Sequence, residues 1–183
     1  MAQRSAMKTI GSIAVILLIL TAAFQAAEKK SPAQEASAIP NPQIDYPGFL
    51  KDADKVGALR EKRRITEKQF IEMMQDPDTL ILDARSAEKY ARLHIRGAKN
   101  LSLPDMTEAD LAKVIPTKNT RVLIYCNNNF DKAPVAFPAK GGRLSLNIFT
   151  FNTLYGYGYT NVYELGPFID ITKSILPFTG TKQ

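Results

Sequence analysis

RVLIYCNNNFD, residues 121–131, is the stretch from which the rest of the chain can be ordered. Val122, Leu123, Ile124 and Tyr125 make an apolar run with no polar interruption, as a strand covered on both faces requires, and the run leads straight into Cys126. Leu80, Ile81 and Leu82 repeat the pattern and end at Asp83. Helical segments separate these runs. Residues 49–64 read as a helix whose basic end, Arg60, Lys62, Arg63 and Arg64, reads as a solvated face. Thr66 and Gln69 have capping-box spacing ahead of Phe70, Ser86 can cap residues 87–93, and Thr107 can cap a helix through Ile115. Residues 98–103 read as a short strand, residues 144–155 as a helix broken by Gly156 and Gly158, residues 161–165 as a last strand and residues 167–175 as a closing helix. Strands alternating with helices predict an α/β three-layer sandwich, a central mostly parallel sheet with helices on both faces.

Composition narrows the chemistry. With one cysteine and one histidine in 183 residues, the chain cannot close an internal disulfide or build a zinc site from nitrogen and sulfur ligands. A hydrophobic fraction of 45% and a charged fraction of 23% suit one globular domain and exclude collagen-like and coiled-coil classes. The net charge of +6 includes Arg4 and Lys8, and without them the excess is too small to argue for nucleic acid.

Those two cations precede an apolar run, Ile10–Leu20, followed by small residues as far as Ala27. Residues 1–27 therefore read as a signal peptide and the protein as exported, periplasmic or secreted. An uncleaved anchor is the alternative, although about 11 strongly apolar residues are few against the roughly 20 of a membrane span, and membrane contact is expected only in that case. Residues 28–46 mix Pro, Ala, Ser and charge without apolar periodicity and read as a flexible linker, leaving residues 47–183 as the folded domain.

An unpaired cysteine in an exported protein is either buried and inert or kept for its reactivity. In an open α/β sheet, ligands bind beyond the carboxyl ends of the strands, and both Asp83–Arg85 and Cys126 fall at such ends. Asn127, Asn128 and Asn129 tolerate left-handed backbone angles and could curl amide N–H groups around the sulfur. His94 reads as a backbone-bonding residue rather than a general base.

Four pieces in order, Asp83-Ala84-Arg85, Tyr90 with His94-Ile95-Arg96-Gly97-Ala98, Leu123-Ile124-Tyr125-Cys126, and Gly158-Tyr159-Thr160-Asn161-Val162 with Gly166, resemble the rhodanese domain family over roughly residues 64–177. The resemblance implies a sulfurtransferase without metal or organic cofactor, acting as a monomer. Cys126 would take sulfur from a small donor as a persulfide and pass it to a thiol or protein acceptor. Asn127, Asn128, Asn129, Phe130 and Asp131 occupy the family's substrate cradle, and Arg85 is a further candidate for substrate contact.

Three departures qualify the match. The loop lacks the arginine, lysine and glycine common in the family, and Asp131, if turned inward at about 6 Å, would repel an anionic donor by ~3 kcal/mol at an effective dielectric of roughly 20. Residues 132–142 carry two prolines and two glycines where a helix would follow the loop, so helix-dipole assistance to the sulfur is expected to be lost, with Lys132, Lys140 or Arg143 as substitute cations on a lid. Pro167-Phe168 follows Gly166 where the family has a second glycine and tryptophan. Phosphatase chemistry is set aside because Lys132, not arginine, stands six positions after the cysteine. Two readings remain, a sulfurtransferase and a catalytically silent binding module.

Overall fold

The computed structural model describes residues 41–181, and the targeting segment and most of the linker lie outside them. The compact unit containing the site begins at Tyr46. Its helices are α1 (Tyr46–Arg63), α2 (Glu67–Met74), α3 (Ala87–Arg92), α4 (Glu108–Val114) and α5 (Leu146–Gly156), and its principal strands are β1 (Arg64–Ile65), β2 (Thr79–Asp83), β4 (Lys99–Asn100), β5 (Arg121–Tyr125) and β7 (Val162–Leu165). These strands form one sheet in the order β1-β7-β5-β2-β4, parallel throughout.

The apolar runs sit where unbroken hydrophobicity places them. β5 lies between β2 and β7, with Leu82 opposite Ile124 and Asp83 opposite Tyr125. Alternation along β5 then divides two cores: Val122, Ile124 and Cys126 pack with Val56, Leu111, Leu146 and Phe151 on one face, while Leu123 and Tyr125 pack with Phe70, Ile95, Phe130 and Phe137 on the other. Each large aliphatic side chain so buried contributes roughly 1.5–3 kcal/mol of transfer free energy.

Local signals act as their chemistry requires. Thr66 accepts from the Gln69 N–H while Gln69 Oε1 accepts from the Thr66 N–H at 2.9 Å, starting α2; Ser86 and Thr107 accept from the Lys89 and Asp110 amides at the starts of α3 and α4. Gly158 takes φ +83 just past α5, a conformation an L side chain rarely adopts.

The structure corrects the segment after Gly166. No closing helix forms over residues 167–175: β8 (Ile169–Asp170) pairs with β6 (Phe130–Asp131), and β9 (Phe178–Thr179) pairs with β3 (His94–Ile95). Asp170 Oδ1 accepts from the Thr172 N–H and hydroxyl, a local alternative to helical pairing. The first helix also ends one residue earlier than expected. Arg64 therefore stands on an edge strand beside Glu164.

Candidate functional site

Two polar groups occupy the carboxyl ends of β2 and β5, on opposite faces of the sheet. On the face of Tyr125, Asp83 and Arg85 are buried together. Arg85 donates from Nε and Nη2 to the Asp83 carboxylate at 2.9 and 2.5 Å, from Nη1 to Ala136 O at 2.9 Å and from Nη2 to Leu93 O at 2.8 Å, and its guanidinium lies 4.1 Å over Phe137. Tyr125 donates its hydroxyl to Asp83 and accepts from the Ile95 N–H. Burial, followed by the Asp83 charge, pushes the Tyr125 hydroxyl well above the ordinary tyrosine range. Asn100 fastens the strand end by donating to the carbonyls of Asp83 and Arg85.

On the other face Cys126 contributes to a pocket of about 270 Å³ with Arg60, Arg64, Asn128, Asn129, Ser145, Asn147 and Glu164. The cysteine is free and buried. Its Sγ lies 3.4 Å from Ser145 Oγ, and Ser145 is the N-cap of α5. A helix N-terminus thus reaches the sulfur after all, from a helix that begins beyond the 132–142 segment rather than directly after the loop. That corrects the expectation that helix-dipole assistance is lost. The hydroxyl and helix end together can stabilise negative charge on sulfur.

The asparagine run works differently from the expected cradle. Residues 127–129 close a 3-10 turn, in which the Asn129 N–H donates to Cys126 O at 3.2 Å and the Phe130 N–H to Asn127 O. None of the three asparagines has a positive φ; among the described residues the non-glycine residue that does is Lys132, at 64°. Asn129 instead acts through its side chain, accepting from the Cys126 N–H at 2.9 Å and donating to Leu165 O and Pro167 O at 2.7 and 3.1 Å. These bonds fix its amide, so Asn147 must present Nδ2 to Asn129 Oδ1, leaving the buried Asn147 Oδ1 without a partner among the described residues. Asn128 exchanges two bonds with the Lys140 backbone, which brings the following segment beside the turn.

Of the residues singled out from sequence, Cys126, Asn128 and Asn129 meet at the pocket. Arg85, Asn127, Phe130 and Asp131 do not line it. Arg85 lies across the sheet with its guanidinium held by protein oxygens, Asn127 is buried, and Phe130 packs 4.6 Å from Phe137 in the aromatic core. Asp131 sits in β6 with its carboxylate 3.5 Å from Lys132 Nζ and does not line the pocket, so the inward placement on which the anticipated repulsion depended is not seen. Neither Lys132, Lys140 nor Arg143 lines the pocket, so the lid cations do not meet the sulfur. His94 Nδ1 lies 2.7 Å from Tyr90 O and its ring stacks on Tyr90, a loop-bracing role.

Sequence reasoning missed Arg60, Arg64, Ser145, Asn147 and Glu164. One signal was available: Glu164 is a carboxylate in an otherwise buried strand and therefore demanded a cation. Another cavity, about 590 Å³, lies at the opposite end of the strands among Thr79, Arg121 and Asn161, away from the carboxyl ends where α/β sheets bind ligands.

The model of the rhodanese-like domain family matches residues 66–166. The thiosulfate sulfurtransferase PspE of Escherichia coli (strain K12) is 39% identical over 46 residues, 25% of this chain and 43% of that protein, so the match spans less than half of the relative's length. Among solved structures, the BH2092 protein of Bacillus halodurans has a TM-score of 0.50 at 18% identity over 77% of this chain and 88% of its own, a likeness of fold. A rhodanese with anions from E. coli has a TM-score of 0.39 at 23% identity, over 56% and 99%.

Proposed function

The chain belongs to the rhodanese-like domain family, and on that premise we propose that Cys126 is the nucleophile of a sulfurtransferase or sulfur carrier. The Cys126 thiolate attacks the outer sulfur of a sulfane donor. With thiosulfate, a new S–S bond forms to Sγ, the S–S bond of the donor breaks, and its electron pair leaves on sulfite. Attack by an acceptor thiolate on the outer sulfur then carries that sulfur away and returns the thiolate, so no oxidant or reductant is consumed.

The observation that carries this reading is the contact of Sγ with Ser145 Oγ at the start of α5, within a pocket that contains cationic side chains. Negative charge passes from the thiolate to the leaving group and later rests on the persulfide, and hydrogen-bond donors placed beforehand lower the cost of each stage. The N-terminal reading adds an exported protein with a small donor and a thiol or protein acceptor. N-terminal sequencing of the mature protein tests the export.

Intact-mass measurement after treatment with thiosulfate or polysulfide tests the chemistry. A gain of one sulfur, about 32 Da, reversed by cyanide and absent in Cys126→Ser, is the expected result. A folded protein that gains no sulfur from either donor would favour the silent binding module, a reading supported by the 1% exposure of Cys126.

A further inference from the structure

We infer that Arg64, steered by Glu164, is the specificity-determining cation that recognises the anionic end of the sulfur donor, in place of basic residues that the cysteine turn lacks. The inference rests on the sulfur-transfer reading and deepens it by assigning donor contact to Arg64, which lies outside the 66–166 segment that the family model matches.

Charge accounting distinguishes the two arginines. Glu164 is 2% exposed, on the β7 position paired with Arg64 in β1. Arg60 grips it with two bonds, Nε to Oε2 at 2.8 Å and Nη2 to Oε1 at 2.7 Å, a bidentate geometry that uses both carboxylate oxygens. Arg64 reaches the same carboxylate only from Nε, at 3.2 Å, and donates from Nη2 to Gly166 O at 3.2 Å. Two guanidinium groups face one carboxylate, so the cluster keeps one positive charge on the pocket wall.

That charge can reach a ligand. The Arg64 side chain is 55% exposed, against 22% for Arg60. Its Nη1 group makes no hydrogen bond within the protein among the described residues, leaving donors for a sulfonate oxygen. Both arginines belong to the pocket that contains Cys126, and no other Lys or Arg among the described residues lines it. Glu164 and Arg60 position Arg64, and Arg64 contacts the donor. A half-exposed ion pair of this kind contributes little to folding, so its replacement leaves a folded protein.

The test separates recognition from chemistry. Thiosulfate is titrated calorimetrically into Cys126→Ser, which cannot accept sulfur, and into the same protein carrying Arg64→Gln or Arg64→Lys. About tenfold weaker binding with glutamine and partial recovery with lysine are expected, with the difference shrinking as salt rises. Reaction of the protein with Cys126 intact is followed in parallel by intact mass with two donors. Thiosulfate gives the persulfide with release of sulfite, and uncharged dimethyl trisulfide, whose central sulfur the thiolate attacks, gives the methyl trisulfide with release of methanethiolate. Arg64→Gln should slow loading about tenfold for the anion and leave the neutral donor unchanged. Equal thiosulfate affinity with and without Arg64, or an equal loss with both donors, overturns the inference. Failure of the intact-cysteine protein to load from either donor while Arg64-dependent binding persists would overturn sulfur transfer and leave the anion site standing.

Discussion

The two faces of the sheet at the ends of β2 and β5 carry polar clusters of similar composition and different completeness. Beside Tyr125, the Asp83 carboxylate and the Arg85 guanidinium are fully enclosed and bonded to each other, to Tyr125 and to two backbone carbonyls. Beside Cys126, Glu164 is equally buried, yet one of its arginines is half in solvent, a thiol meets a single hydroxyl, and Asn147 Oδ1 has no partner among the described residues. A closed network braces the strand end because every desolvated group recovers its hydrogen bonds from protein. An incomplete one retains interactions to give to a ligand. Two charged residues at the end of one central strand and a thiol at the end of its neighbour thus have separate tasks, which the alternation of side chains across the sheet assigns.

The comparison breaks most severely at Arg85. Arg85→Met leaves Asp83 buried without its cation and should lower the urea-measured unfolding free energy by about 3–5 kcal/mol. A loss below about 1 kcal/mol would show that the network is not structural. Cys126→Ser should do the reverse, abolishing persulfide formation in the mass spectrum while changing stability by no more than about 1 kcal/mol. Ser145→Ala is expected to slow sulfur loading roughly tenfold, the cost of about one hydrogen bond to a charged group, with circular dichroism unchanged.

Tyr125 gives the closed cluster a pH signature. Its folded-state value is raised, so its contribution is fully present below the unfolded value of about 10 and is lost as pH rises from there through the folded value. Between pH 9 and 11 the wild type should therefore lose stability faster than Tyr125→Phe, approaching about 1.4 kcal/mol per pH unit of difference above pH 10; parallel curves would refute the assignment. The smallest effect belongs to Asp131→Asn. Because the carboxylate pairs with Lys132 away from the pocket, thiosulfate loading should change by less than about twofold.

Much of the architecture was legible because it rests on local or strictly periodic signals. Unbroken apolar runs marked β2 and β5, side-chain oxygens at Thr66, Ser86 and Thr107 marked helix starts, and the position of Cys126 past β5 placed the thiol at a ligand-binding edge. The site was less legible. Basic residues at 60 and 64 are indistinguishable in sequence from a solvated helix face until β1 pairs with β7 and sets Arg64 beside Glu164. Residues 167–175 looked helical because a short apolar stretch after proline carries no sign of the distant strand it pairs with.

By itself, then, the sequence determined an α/β sheet of the rhodanese family with one cysteine at the end of a central strand, since periodicity, caps and ordered motifs are properties of neighbours along the chain. Tertiary structure alone decided that Arg85 turns away from the sulfur, that the 132–142 segment still delivers a helix N-terminus to it, and that the pocket's charge comes from Arg60 and Arg64. Those outcomes depend on which face a side chain occupies and on contacts spanning up to 104 residues, here Arg60 to Glu164. Burial and pairing energies settle such contacts only when the sheet closes.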